Sequence, residues 1–391
     1  MYKIEKLNNF RLLYALLASK SPLPLQAEDI VSKEIHREIQ LIGEFADVSY
    51  SPIALELVFQ RMELFSQKHF PLEGYEAVTS SKLILPFEGE VANVTGLVAY
   101  RPASKQIVVS ICGTRTLKQV LYDMNSLFQR CTKGEQSYRV HGGFMSMYTG
   151  LEAYALEGIR KGLDEEQVEE LVVSLPPSQI LDLLETRQLT GHSMGAALSY
   201  YLAVELLTNN RILPPGMRIK VITFGSPRIG DQAFSSFWRK LLEEYRSSNG
   251  QESFQEYNIR AYNDGEHQIS VRQPSGYHFF PGVPMLPPVK AGYIHHTTNP
   301  LFLRNDRLFR IPDSEREYGS FDIPTLEDAP PPLHPNGGHN YYNGRELEKL
   351  ARRVWVLHEL MGGEDDSWVG SYVDEVTRVE KYSLTSPSDS E

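Results

Sequence analysis

Gly191-His192-Ser193-Met194-Gly195 sets a serine between two glycines at G-x-S-x-G spacing. In that pattern a strand, a sharp turn and a helix meet. The glycines permit the strained backbone and the close approach of helix to strand, so the hydroxyl stands exposed above a sheet. The chemistry would be nucleophilic attack, given a base within hydrogen-bond reach of the serine and an acid that fixes the base's tautomer. Five residues of this kind are a weak signal alone, and the bland reading is a glycine-rich turn that merely starts a helix. Context favours the nucleophile, because Ala196-Ala-Leu198 and Tyr200-Tyr-Leu-Ala203 begin a helix directly after it.

The elements around the serine read as alternating strands and helices. Residues 28–70 are mostly helical, with Ile30, Val31, Ile35, Ile39, Ile42 and Phe45 at helical spacing. Strands are expected at 94–100, 106–112, 218–224 and 257–262, and helices at 148–169, 195–207, 232–245 and 345–360. This alternation predicts an α/β fold with a mostly parallel central sheet and helices on both faces. The chain has 391 residues, and 39 Lys+Arg against 50 Asp+Glu give a net charge of −11. The acidic balance, with no concentration of Lys and Arg, argues against a nucleic-acid partner. Cys112 and Cys131 are the only cysteines, so neither a disulfide framework nor a cysteine-based metal site is supported.

Five motifs then occur in order: Cys112-Gly-Thr114 after an apolar strand, Val140-His-Gly-Gly-Phe144, Thr190-Gly-His-Ser-Met-Gly195, Thr223-Phe-Gly-Ser-Pro-Arg-Ile-Gly-Asp231 and Met285-Leu-Pro-Pro288. Together they resemble the fungal class 3 lipases of the α/β-hydrolase superfamily, over about residues 30–360. In an α/β hydrolase the chain order is Ser, Asp/Glu, His. Asp264, in Tyr262-Asn-Asp264-Gly265 after an expected strand, resembles the family's acid. His339, in Gly338-His-Asn-Tyr-Tyr342, resembles its base, against the bland reading of a loop histidine in the Pro/Gly-rich segment 329–338. His295 and His296 belong to a different family motif, His192 adjoins the nucleophile and cannot fold back onto it, and His141 and His334 read as surface or supporting residues. The oxyanion would be held by the N–H of Met194 and, by the resemblance, by Thr114. The resemblance implies an acylglycerol lipase acting through an acyl-enzyme, with no metal or cofactor. Alternatives are a phospholipase, a soluble-ester carboxylesterase, or a lipase-like protein that binds lipid or a partner without turnover.

Leu117, Val120, Leu121, Met124, Leu127 and Phe128 recur at 3–4 spacing. Leu117–Phe128 is therefore expected as a short amphipathic helix, in the place of the family's lid, which turns its apolar face to a lipid–water interface. An ordinary surface helix packed on the core fits the spacing equally.

Two segments depart from the family pattern. Residues 266–282 separate Asn263-Asp264-Gly265 from Val283-Pro-Met-Leu-Pro-Pro288, and residues 173–188 separate Glu169-Glu-Leu-Val172 from Leu189-Thr190. Both have ends that can encode splice signals, so both are expected to be retained introns in frame; true loop insertions are the alternative. Transcript reads lacking both segments would support this, and reads spanning both intact would end it. The expected division is an N-terminal segment 1–29 (an amphipathic helix or a weak leader), a hydrolase domain 30–362 and a partly disordered tail 363–391. No stretch of 18 or more apolar residues exists, so no transmembrane segment is expected. Scarce cysteine and the poor leader place the protein in the cytoplasm rather than outside the cell.

Overall fold

The computed structural model describes residues 20–113, 125–174, 194–209, 211–261, 283–304, 306–323, 347–362 and 366–385. In chain order the helices are α1 (Lys33–Val48), α2 (Leu55–Gln60), α3 (Met62–Phe65), α4 (Glu76–Thr79), α5 (Gly142–Glu165), α6 (Met194–Thr208), α7 (Gln232–Asn249), α8 (Leu347–Leu360) and α9 (Val369–Thr385). The strands are β1 (Lys82–Glu88), β2 (Thr95–Arg101), β3 (Gln106–Ile111), β4 (Phe128–Lys133), β5 (Gln136–His141), β6 (Glu170–Ser174), β7 (Arg218–Phe224), β8 (Phe254–Ala261), β9 (Pro300–Arg304) and β10 (Arg307–Arg310).

Eight of these strands form one sheet in the order β1-β2-β3-β6-β7-β8-β9-β10. The run β3-β6-β7-β8-β9 is parallel, and the antiparallel pairs lie at the two edges. Parallel strands need crossovers, and α6 and α7 supply them between β6, β7 and β8. β6 and β7 are buried on both faces, so their apolar residues run on without alternation. Val172, Ile222, Ile259 and Leu301 face α1–α4, α8 and α9, whereas Leu171, Val173 and Val221 face α5, α6 and α7. The mainly parallel α/β architecture expected from the sequence is thus present.

The first and last helices share one face. Arg353 of α8 joins them, donating to Phe70 O at 2.8 Å and pairing with Glu73 and Glu380 at 2.7 Å each. Trp368, Tyr372 and Val376 are buried there. The tail expected from residue 363 therefore carries a packed helix, because an apolar stripe at helical spacing outweighs the acidic and serine-rich composition around it. Residues 386–391 lie outside the described residues. At the other end, Leu25 is buried with Phe302, Phe309, Ile311 and Phe321. Ser21 and Leu25 donate their N–H groups to Ser320 O and Asp322 O. Residues 20–29 are thereby tied to the body of the fold.

Several expected boundaries move, β8 among them, which begins at Phe254 rather than at residue 257. The helix expected from Tyr148 begins at Gly142, because the His141 side chain caps it by accepting the Phe144 N–H at 3.3 Å. The helix expected over Leu117–Phe128 does not reach its last residue, because Phe128 opens β4 and pairs with His141. Residues 117–124 lie outside the described residues. The expected insert 173–188 also starts differently. Val173 and Ser174 complete β6, paired with Val109 and Ser110 on one side and Val221 and Ile222 on the other. Residues 175–188 and 266–282 lie outside the described residues.

Candidate active site

Ser193, Asp264, His339 and Thr114 all lie outside the described residues, and Met194 is the one expected site residue within them. The elements that lead to these positions are described. β3 ends at Ile111 and leads through Cys112 and Gly113 toward Thr114. β6 ends at Ser174, and α6 opens at Met194, immediately after Ser193, with Met194 fully buried. β8 ends at Ala261, three residues before Asp264, and α8 begins at Leu347, downstream of His339. In an open parallel sheet, ligands bind outside the carboxyl ends of the strands. A crossover helix returns antiparallel to its strands, so the N-terminus of α6 lies at that edge. Its leading N–H groups lack helical partners and carry the positive end of the helix dipole. Ala196 and Ala197 are buried in its first turn, where small side chains let it sit close on the sheet.

The walls at this edge are held by buried polar groups. Gly225, at φ +61, turns the chain after β7 and donates its N–H to Ile259 O at 2.8 Å. Arg228 then clasps the 285–287 segment. Its side chain donates to Met285 O and to Pro287 O, and its N–H donates to Leu286 O. It is paired with Glu317 at 2.8 Å, and the other Glu317 oxygen accepts the His295 N–H at 2.8 Å. Asp231 caps α7 by accepting the Phe234 N–H and pairs with Arg139. Burial opposes its ionisation, but Arg139 and the two backbone donors outweigh this and hold its carboxyl below the usual range. Neither Arg228 nor Asp231 was expected as a site-building residue, although both stand in the motif Thr223–Asp231.

Beneath the edge, Glu256, Asn258 and Arg260 follow one another along one face of β8, all buried. Glu256 accepts from Tyr200 Oη at 2.8 Å and from the N–H and hydroxyl of Thr298 at 3.0 and 2.7 Å. Arg260 donates to Arg316 O and Tyr318 O through Nη1, while its Nε and Nη2 have no partner. Burial, reinforced by Arg228, pulls its guanidinium down to about 9.

The histidines can now be sorted. His296 is enclosed by Tyr200, Trp238 and Phe234, with ring centroids 4.1, 5.9 and 5.3 Å away. Burial first, then the cations Arg316 and Arg260, lower its pKa to about 3. His295 is lowered well below its ordinary value by burial and by Arg260 and Arg228. Both are neutral and shut away from solvent, so neither serves as a base at an open site. His141, expected at the surface or in support, is fully buried and caps α5. Among the described residues no group of three or more His, Cys, Asp or Glu side chains is placed to hold a metal ion.

The sheet, its crossover helices and the carboxyl-edge placement of Met194 define an α/β-hydrolase-like fold. Residues 108–252 match the family profile described as lipase (class 3). The matched segment holds Thr114, Ser193 and Met194 and ends before Asp264 and His339. The lipase from Rhizopus microsporus var. chinensis has a similar fold, with TM-score 0.51 and 19% identity over 77% of this chain and 89% of that one. Phospholipase A(1) DAD1, chloroplastic, of Arabidopsis thaliana is 25% identical over 253 residues, 55% of this chain and 53% of that protein. Phospholipase A1-IIbeta of the same organism is 29% identical over 144 residues, 34% of this chain and 33% of that protein. The chain thus spans about half, or less, of the length of these curated relatives. Among the described residues no helix is long and apolar enough to cross a membrane.

Proposed function

We propose that the protein hydrolyses carboxylic esters of lipids through Ser193, His339 and Asp264. Ser193 attacks the ester carbonyl while His339 takes its proton and passes it to the leaving alcohol. Asp264 holds His339 in the required tautomer and stabilises its cation. The N–H of Met194, with Thr114, binds the oxyanion, and water then releases the acyl group. The observation that carries this reading is the start of α6 at Met194, directly after the serine, in the crossover between the parallel strands β6 and β7. Labelling of the full chain by a fluorophosphonate, lost in Ser193→Ala, tests it. An intact fold without labelling would return the protein to the lipid- or partner-binding reading.

Acylglycerol is the substrate the sequence resemblance implies. The curated relatives carry the name phospholipase A1, which favours a phosphoglyceride as the second reading. Initial rates on emulsified triacylglycerol against phosphatidylcholine separate the two. A cytoplasmic location remains part of the proposal, supported by the scarcity of cysteine, Cys112 and Cys131 being the only two, and fractionation of source cells tests it.

A further inference from the structure

α6 is buried along the whole of Met194–Val204, and glycine, alanine, leucine and valine make up most of that length. The helix is thus apolar on nearly every side, as a helix enclosed by the fold must be. Apolar packing is non-directional, so it constrains the rotation of such a helix only through the fit of its side chains. In packed helices a buried polar contact is the device that selects one register among similar ones. Register matters here, because the first residue of α6 follows Ser193 directly.

Two consecutive residues supply such contacts. Tyr200 and Tyr201 are both buried, and successive residues of an α-helix point about 100° apart around its axis. Tyr200 reaches the sheet. Its hydroxyl donates to Glu256 of β8 at 2.8 Å, accepts from Asn258 Nδ2 at 3.5 Å and lies 3.4 Å from the hydroxyl of Thr223 on β7. Tyr201 reaches the loop between β7 and α7, donating to Ile229 O at 3.1 Å. Both anchors are themselves held. Glu256 also accepts from Trp238 Nε1 of α7 at 3.4 Å and from Thr298, and Ile229 O accepts the His141 N–H at 2.9 Å. Burial, reinforced at Tyr200 by the charge of Glu256, raises both phenols well above their ordinary range, so both remain donors. The hydroxyl of Ser199, beside them, is buried without a partner. Glu205 pairs with Lys133 at 2.6 Å, but farther along the helix from Ser193.

We propose that Tyr200 and Tyr201 are positioning residues that fix the rotation and axial register of α6, and through it the placement of Ser193 and of the Met194 N–H against the reacting carbonyl. The catalytic consequence rests on the hydrolase reading; the registering role is measurable without it. Both phenols are shut away from solvent, so neither touches substrate. Their loss displaces groups that act in the transition state and leaves the walls of the site in place, so kcat falls and KM does not.

Phenylalanine keeps each ring and removes only the hydroxyl. On a short soluble ester, Y200F and Y201F should each lower kcat roughly tenfold, and Y200F/Y201F about 100-fold, with KM unchanged, as a displacement of about 1 Å would do. Thr298→Val is the control, since it removes a hydroxyl that donates to the same carboxylate from a segment outside α6. It should lower the unfolding midpoint as Y200F does and leave kcat unchanged. Single variants that fold and keep the wild-type kcat, or a Thr298→Val kcat as low as that of Y200F, overturn the assignment. Hydrogen exchange reads the same tie without turnover: in Y200F/Y201F the amides of residues 194–208 should exchange faster, and those of α1 at the wild-type rate. Unchanged exchange over residues 194–208 also overturns it. A wild-type chain that hydrolyses no ester, with variants that show this local change, would sustain the registering role and remove the hydrolase reading.

Discussion

At the amino-terminal ends of β3 and β6, Gln106 pairs with Glu170, and the buried side chains of Arg101, Gln106, Glu170 and Lys220 all have partners. Gln106 donates to Glu38 and Glu170, Arg101 to Glu38 and Gln106, and Lys220 of β7 to Glu170 at 3.0 Å. Toward the carboxyl end of β8 the pairing is incomplete. Arg260 Nε and Nη2, Asn258 Oδ1, His295 Nε2 and both nitrogens of His296 are buried without hydrogen-bond partners. A buried polar atom left unpaired costs about 1–3 kcal/mol, so a fold selected only for stability would not collect several in one place. One end of the sheet is built as a clamp, and the other tolerates unmet polar groups below the edge where the candidate site would be assembled.

The largest test of that contrast is at the edge itself. Ser193→Ala should lower hydrolysis of a short soluble ester by about 10⁴-fold or more while leaving the unfolding midpoint unchanged. A variant that keeps its rate would show that the edge is not the working end. The complementary change is Glu170→Ala. It removes the 3.0 Å partner of buried Lys220 and leaves only Glu38 at 3.7 Å, which should cost about 3 kcal/mol in urea unfolding. The fraction that stays folded should keep its rate per molecule. Equal loss of rate and stability would mean the clamp and the site are one unit.

A pH titration reads the carboxyl end from another side. His296 has a folded pKa of about 3 against an ordinary 6.5. Above the ordinary value both folded and unfolded chains are neutral there, and stability does not change. As pH falls from 6.5 toward 3 the unfolded chain takes up a proton that the folded chain refuses, so stability is progressively lost. At about pH 4.5 this one group should cost about 3 kcal/mol. His296→Phe, filling the pocket of Tyr200, Phe234 and Trp238 with another ring, should remove that part of the acid sensitivity. Identical losses between pH 7 and about pH 4.5 in the two proteins would show that His296 can be protonated without opening the fold.

Legibility in the sequence followed the same division. β7 lies at Arg218–Phe224, where the sequence placed it, because an unbroken apolar run between polar neighbours has few other solutions. β2, β3 and α6 fall within a residue of expectation for the same reason. The β4–β5 hairpin, Phe128-Gln-Arg-Cys-Thr-Lys133 and Gln136-Ser-Tyr-Arg-Val-His141, was not legible. It is a two-stranded ribbon with most side chains in water, so it lacks an apolar alternation. β9 and β10 are short, and Pro300, Arg304, Arg307 and Arg310 interrupt their apolar content. At the site, the motifs gave Met194 its place at the head of a helix. The polar face Glu256, Asn258 and Arg260 stayed hidden, because alternate polar residues in a strand ordinarily signal a side open to water. Here that face is covered by α6, α7 and the 283–297 segment.

The smallest expected effect is also the most direct comparison of the two ends. Lys220→Met at the clamp removes a cation whose partners Glu170 and Glu38 then remain buried or half-buried without it, and destabilisation of about 2–3 kcal/mol is expected. Arg260→Met removes a cation that has no counter-charge in hydrogen-bond contact and two unpartnered donors. The carbonyls of Arg316 and Tyr318 lose their donor, which costs about 1–2 kcal/mol. Relief from holding a guanidinium in a place that lowers its pKa to about 9 works the other way. A buried charge replaced by an apolar side chain of similar length is often neutral or stabilising, so the net change should lie within about 1 kcal/mol of zero. Urea unfolding of both variants, side by side, decides the matter. A loss at Arg260 as large as that at Lys220 would mean that its open donors are met in the folded protein by a partner not yet identified, and the contrast between the two ends of the sheet would vanish.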